Sequence, residues 1–215
     1  MKQHELMKRY TWFWAAVLSV VTGCTVPAER DAATLPPGTT GDVATSPDPF
    51  VAAPRVDPGA IDTVQLIRDL SVLAHDSMEG RLVGTPGSVR AQRFLVRRFT
   101  DTGLQRFGTG YTHPFTFTRR EQQMQGVNMI GFVRGSARPD RHIVITAHYD
   151  HLGIRDGEIF PGADDNASGT AGLIALADYF VRNPPRHSMV FVAFDAEEGG
   201  LQGARAFVAN PPVAP

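Results

Sequence analysis

The sequence predicts an α/β domain whose sheet is at least partly parallel. From residue 61 onward, apolar runs of strand length alternate with segments whose apolar residues recur at helical spacing, as is typical of α/β folds. The runs at 142–147 and 189–194 are almost wholly apolar, as expected of strands buried on both faces. Acidic and histidine-containing clusters follow such runs, and ligands in open α/β sheets bind beyond the carboxyl ends of the strands.

The helices and strands can be placed from local signals. A helix over 61–75 is predicted from Val64, Ile67, Leu70 and Leu73, which recur at helical spacing.

A second helix is predicted to start at Pro86, with Thr85 as its N-cap and Gly103 at its end. The remaining elements are apolar segments bounded by turn residues: strands at 113–118, 127–133, 142–147 and 189–194, and helices at 167–181 and 201–208. Pro114 favours a sheet edge for the first of these strands, whereas the third is apolar enough to be central.

Length and charge limit the possible functions. The 215 residues suffice for one domain plus extensions. The net charge is -1, so no general positive field attracts nucleic acid, and we expect no nucleic-acid partner. A single cysteine, Cys24, excludes an internal disulfide.

The N-terminus is typical of an export signal. Lys8 and Arg9 precede an apolar stretch at 11–21, which is shorter than the about 20 residues that span a bilayer but fits a signal-peptide core. The sequence ending at Cys24 resembles a bacterial lipobox, which implies a signal peptide at 1–23 and an acyl anchor on Cys24. Thr25 favours an outer-membrane location facing the periplasm. The alternative is an ordinary secretory signal with a chance cysteine.

The segment 24–59 is predicted to be a flexible tether. Residues 25–59 hold seven of the sixteen prolines and no apolar periodicity, so this segment buries too little surface to offset its ordering entropy. The domain proper is therefore assigned to 60–215.

His148 is the first candidate ligand, because it follows an apolar strand at the point where the chain leaves the core. A lone histidine in that position is more often structural. Asp150 changes this interpretation, since a metal-bound imidazole usually has its other nitrogen held by a carboxylate or carbonyl.

Two adjacent carboxylates, Asp164 and Asp165, precede the helix predicted at 167–181. They repel each other unless a cation neutralises them. An N-cap role would explain one of them, and a metal explains the second.

Glu197 and Glu198 follow the apolar strand at 189–194 and precede two glycines. A solvated acidic turn is the ordinary alternative. Neighbouring glutamates can also divide two tasks, with one binding a metal and the other taking a proton from metal-bound water. One imidazole with several carboxylates is a ligand set suited to zinc.

These clusters resemble the co-catalytic di-zinc exopeptidases, a family that includes bacterial leucyl-type aminopeptidases, glutamate carboxypeptidase II and glutaminyl cyclases. The matching strings are Leu73–Gly87, Thr146–Gly153, Pro161–Gly169 and Phe194–Gly203. The resemblance implies a three-layer α/β/α fold with a mixed sheet, of which this chain is the N-terminal part, truncated at the C-terminus.

The resemblance also implies residue roles and two zinc ions. His148 would bind one zinc, Glu198 would bind the other, and Asp164 would bridge both, through a strained peptide link to Asp165. Glu197 would be the general base. Asp150 would orient the imidazole of His148, while neither His151 nor His75 matches a ligand position.

The chain departs from the family after Glu198, because 201–215 contains no Asp, Glu or His. The family requires a further aspartate and a late histidine. Two protein ligands per metal is fewer than the three usual in catalytic zinc sites. We therefore expect a site that is incomplete and weak or inactive in this chain, which is either a fragment or a natural truncation.

The resulting expectation is a zinc-dependent exopeptidase, of the aminopeptidase type, acting on peptide substrates. One alternative is an acyltransferase of the glutaminyl-cyclase type. The other is a non-catalytic, lipid-anchored protein derived from a peptidase.

Overall fold

The computed structural model describes residues 60–212. The predicted signal peptide, Cys24 and the tether therefore lie outside the described residues. Within 60–212, no helix has both the length and the apolar character needed to cross a bilayer.

The described chain contains four α-helices and six strands. The helices are α1 (Thr63–Leu73), α2 (Pro86–Thr102), α3 (Gly169–Arg182) and α4 (Gln202–Ala209). The strands are β1 (Thr112–Arg119), β2 (Gln122–Val133), β3 (Arg138–His148), β4 (Gly153–Arg155), β5 (Glu158–Phe160) and β6 (His187–Phe194). Two irregular helical turns, Asp76–Arg81 and Ala163–Ser168, precede α2 and α3.

The main sheet has the strand order β1-β2-β6-β3. β1 pairs with β2 and β2 pairs with β6 in antiparallel fashion, whereas β3 and β6 are parallel. β4 and β5 form a separate antiparallel hairpin between β3 and α3. The prediction of a mixed α/β sheet is confirmed.

Apolar side chains cover both faces of the sheet, so the described part of the fold has three layers. Met129 of β2 and Phe191 of β6 join the buried cluster formed with α1, α2 and α3. Ile130 of β2 and Val192 of β6 point to the opposite face, where Phe207 of α4 packs against them. This alternation follows from the two-residue period of a strand.

The predicted start and end of α2 are confirmed. The Thr85 hydroxyl accepts the backbone N–H of Ser88 at the N-terminus, and Pro86 occupies the first turn. Gly103 ends the helix with a φ of 82°, a left-handed conformation that glycine adopts without steric cost.

The prediction that β3 is central is wrong for the sheet formed by residues 60–212, where β3 lies at an edge beside β6. Ile143 and Val144 are 48% and 42% exposed. An apolar composition indicates that both faces of a strand are covered. It does not indicate whether the strand has a neighbour on each side, so it cannot separate a central strand from an edge strand.

α1 also differs in detail, because Val64 and Ile67 are exposed while Asp69 is buried. Asp69 receives the guanidinium of Arg98 in α2, with both carboxylate oxygens within 3.0 Å of Nε. The inward face of α1 therefore includes Asp69 with Leu73, and it differs from the face predicted from apolar spacing.

Candidate metal centre

The parallel pairing of β3 and β6 brings two of the predicted clusters together. His148, the last residue of β3, is paired with Phe194, the last residue of β6. The segments that follow these strands therefore leave the sheet side by side. The third cluster lies in the turn Ala163–Ser168, which leads into α3.

Asp150 joins the first two clusters. Its side chain is almost fully buried, and its two oxygens accept the backbone N–H groups of Glu197 (3.0 Å) and Glu198 (3.3 Å). One of these oxygens lies 3.6 Å from Nδ1 of His148. Asp150 therefore lies beside His148, and it also fixes the backbone that carries both glutamates.

His148 lies at the centre of the cluster. Its Nε2 atom is 3.0 Å from Oδ1 of Asp165 and 3.8 Å from Oε2 of Glu197. Burial alone would lower the pKa of His148, but the hydrogen bond to Asp150 and the charges of Asp150 and Glu197 outweigh it and raise the pKa to about 8. Because a ligating imidazole must be neutral, metal binding near neutral pH would release this proton.

The structure places Asp165, rather than Asp164, against His148. Gly162 has a φ of 54° before the turn, and within the turn Asp165 has an extended backbone. Of the two carboxylates, that of Asp165 lies within ion-pair distance of the imidazole. The cis peptide bond joins Asp165 to Asn166, one residue later than the link expected from the resemblance.

His151 also lies in the cluster, although sequence reasoning set it aside. Its Nδ1 atom is 2.6 Å from Oε1 of Glu198. His151, Asp165 and Glu198 each offer a potential ligand atom, and these atoms all lie within 4.8 Å of one another. The available signal was its position three residues after His148, in the same loop.

Arg81 is a second residue that sequence reasoning missed, although the quoted string Leu73–Gly87 contains it. The side chain is fully buried and donates to the carbonyls of Tyr149 (2.7 Å), Pro161 (2.7 Å) and Gly162 (2.9 Å). It therefore ties the end of β3 to the turn that carries Asp165.

Burial lowers the pKa of Arg81 to about 10, and the negative charges of Asp150 and Asp165 act in the opposite direction. At neutral pH the guanidinium is charged. It therefore provides a fixed positive charge behind a cluster of carboxylates.

Asp195 is buried and precedes the paired glutamates, Glu197 and Glu198, by two residues. Its carboxylate accepts the backbone N–H groups of Val127 and Ala196, both at 2.9 Å. Burial is the main reason that the pKa of Asp195 rises to about 6, and the nearby charge of Asp150 contributes in the same direction.

The sequence of the second half of the chain resembles a known family of peptidases. Residues 128–215 match the sequence model of Peptidase family M28. This match includes all three clusters, and it confirms the expected resemblance to zinc-dependent peptidases for this part of the chain.

Individual relatives agree with this class. A probable zinc metalloprotease of Leptosphaeria maculans is 41% identical over 81 residues, which are 36% of this chain and 19% of that protein. The vacuolar membrane protease of Schizophyllum commune is 29% identical over 128 residues, which are 54% of this chain and 14% of that protein. The chain thus spans less than a fifth of the length of either relative.

Solved structures share the fold. A glutaminyl cyclase of an Acidobacteriales bacterium is 25% identical with a TM-score of 0.60, over 74% of this chain and 55% of that chain. A Zn-dependent exopeptidase of Parabacteroides distasonis is 17% identical with a TM-score of 0.59, over 70% of this chain and 56% of that chain. These matches confirm the predicted three-layer architecture, and this chain covers a little over half of each.

Replacing Arg81 with Met should lower the free energy of unfolding by more than about 3 kcal/mol, because several buried carbonyls lose their donor. Arg90→Met is the matched control. Arg90 lies nearer the surface, where the side chains of its ion pair with Glu79 are 38% and 35% exposed, and its loss should cost less than about 1 kcal/mol. Urea denaturation monitored by circular dichroism measures both. Equal losses in the two variants would contradict the structural role of Arg81.

The raised pKa of Asp195 predicts a pH dependence of stability. The native state keeps the proton up to about pH 6, whereas the unfolded chain releases it near 4. The native state therefore binds more protons in this window, and the free energy of unfolding should fall as the pH rises from 4 to 7.

Relative to Asp195→Asn, the wild-type chain should lose on the order of 2 to 3 kcal/mol over this range. Urea denaturation at several pH values, with a chelator present, gives the two profiles. Asp178→Asn, at a surface carboxylate that is 36% exposed and paired with Arg182, controls for general charge effects. Parallel profiles for the wild type and Asp195→Asn would show that Asp195 titrates normally.

Proposed function

We propose that this chain is a zinc-dependent exopeptidase of the aminopeptidase type, in which Glu197 is the general base. One observation carries the proposal: His148, Asp165, Glu197 and Glu198, from three separate segments, converge at one end of the β3–β6 pair. The family match and the names of the relatives support zinc as the metal.

The donor set fits zinc. Zinc bonds to imidazole nitrogen and carboxylate oxygen are about 2.0–2.2 Å long, so two donors sharing one ion lie about 3.3 Å apart. The 3.0 Å between Nε2 of His148 and Oδ1 of Asp165 is close to this value. We assign His148, Asp165 and Glu198 as the residues that would hold zinc, with Asp165 in place of Asp164.

When bound, zinc would lower the pKa of a water molecule and polarise the scissile carbonyl. The side chain of Glu197 is one-third exposed and its Oε2 lies 3.8 Å from His148, so it can reach both the ligands and solvent. Glu197 would accept a proton from the attacking water. It would then deliver that proton to the leaving amine nitrogen as the C–N bond breaks.

Asp150 would not take part in the chemical step itself, and its role would be to position other residues of the site. By accepting the backbone N–H groups of Glu197 and Glu198, it fixes the base and a metal ligand relative to each other. Its proximity to Nδ1 of His148 favours the tautomer that leaves Nε2 free to bind a metal.

A glutaminyl-cyclase-type activity is the second candidate, because the structural match of highest identity quoted above is a glutaminyl cyclase. In that reaction the N-terminal amine of the substrate attacks its own glutamine side chain and releases ammonia. The paired glutamates favour the hydrolytic activity, which needs a base for water. The acyl anchor on Cys24 and the envelope location remain proposals that rest on the N-terminal sequence alone.

Glu197→Gln should reduce zinc-dependent hydrolysis of leucyl-p-nitroanilide by about 100- to 10,000-fold, since the base is lost. Zinc content should be unchanged, because Glu197 is not assigned as a ligand. Steady-state kinetics and metal analysis of the 215-residue chain measure the two effects. Loss of zinc, or retention of activity, would contradict the assigned role. Zinc binding without any turnover by the wild-type chain would contradict hydrolysis by these 215 residues alone and would agree with the incomplete ligand set expected from the sequence.

Three substrates separate the candidate activities. A peptide with a free N-terminal leucine should be hydrolysed, and its N-acetylated form should not. A peptide that begins with glutamine should lose that residue rather than cyclise, which mass spectrometry distinguishes. Cyclisation without hydrolysis would favour the glutaminyl-cyclase alternative.

A further inference from the structure

His151 and Glu198 form the shortest contact in the metal centre. The side chains are 10% and 20% exposed, and Nδ1 lies 2.6 Å from Oε1. A carboxylate can only accept hydrogen bonds, so Nδ1 must carry the proton and donate it. The short distance is typical of a charge-assisted hydrogen bond.

The same distance argues against Nδ1 of His151 as a zinc ligand. Two donors that share a tetrahedral zinc lie about 3.3 Å apart, and 2.6 Å is well below this separation. The Nδ1 atom of His151 is thus occupied by its hydrogen bond to Glu198. His148, whose Nε2 faces Asp165, remains free for the metal.

The opposite side of the His151 ring is held by the loop that carries Asp165. A Cβ atom on Gly162 would lie 2.5 Å from both Cγ and Cδ2 of the ring, so only glycine permits this approach. The Gly162 carbonyl is itself fixed by Arg81 at 2.9 Å. The ring therefore lies between the segments that contribute two of the assigned ligands, Asp165 and Glu198.

We propose that His151 is a positioning residue for the metal centre. It holds Oε1 of Glu198 through Nδ1–H, which leaves Oε2 available to a metal, and it sets the spacing between the segment of Glu198 and the segment of Asp165. The inference rests on the proposed zinc site. It adds a residue that supports a carboxylate ligand, and such support usually changes metal affinity by about 10- to 100-fold.

Two substitutions separate the hydrogen bond from the packing. His151→Phe keeps a flat ring against Gly162 but has no donor. His151→Asn loses most of the ring, but its amide nitrogen lies close to the position of Nδ1 and can donate to Glu198. Asn is also a poor zinc ligand, so it does not replace an imidazole on the metal.

The test measures zinc affinity of the metal-free 215-residue chain by competition with a chromophoric chelator. We expect His151→Phe to bind zinc about 10- to 100-fold more weakly than the wild type, and His151→Asn to stay within about threefold. The visible d–d absorption of bound Co²⁺ should be the same in the wild type and His151→Asn, because the atoms bound to the metal are unchanged.

Two results would overturn the proposal. Wild-type affinity in His151→Phe would show that the hydrogen bond has no effect on the metal. Equal weakening in both variants, with an altered Co²⁺ spectrum in His151→Asn, would make His151 a direct ligand. If His151→Phe does not fold by circular dichroism, His151→Ala serves as the donor-free variant and the same comparison holds.

His148→Ala distinguishes failure of this inference from failure of the proposed function. If the wild-type chain binds zinc and His148→Ala does not, the site exists and the His151 variants decide the role of His151. If the wild-type chain binds no zinc, both the proposed site and the role of His151 are contradicted.

Discussion

The in-register parallel pairing of β3 and β6 is the constraint on which the metal centre depends. Parallel strands end at the same edge of a sheet, and here His148 lies opposite Phe194. The chain therefore delivers an imidazole from one strand and a pair of glutamates from the other into the same space. Asp150 then fixes the glutamates relative to the end of β3, because its two oxygens accept hydrogen bonds from the backbone N–H groups of Glu197 and Glu198. A shift of β3 by one residue would reverse its side-chain directions and dismantle this arrangement.

Electrostatics sets the second condition for the site. Several carboxylates lie within a few ångströms of one another, and their repulsion must be offset for the loops to stay in place. The buried guanidinium of Arg81 offsets part of it, and its hydrogen bonds to carbonyls fix the turn that carries Asp165. A divalent cation would offset much of the remainder. Metal binding and the local order of the site are thus expected to be coupled.

The fold class and the three clusters could be predicted from the sequence, because burial on both faces of a strand and the position of polar residues at strand ends leave a clear pattern. The sequence does not show which of Asp164 and Asp165 faces His148. That choice depends on backbone angles in a turn that begins at Gly162. His151 does not occupy a ligand position of the family, so the resemblance does not point to it. Its contact is with the side chain of Glu198, which is assigned as a ligand. Arg81 was missed because a buried arginine that binds carbonyls leaves no periodic signal.

The most direct test of the zinc centre is X-ray diffraction from zinc-soaked crystals of the chain, with anomalous data collected at the zinc absorption edge. An anomalous peak is expected within about 2.2 Å of Nε2 of His148 and an oxygen of Asp165. Glu198 should bind zinc through the oxygen that His151 does not hold. A peak coordinated by Asp164 or located away from the ends of β3 and β6 would contradict the account, as would the absence of any peak.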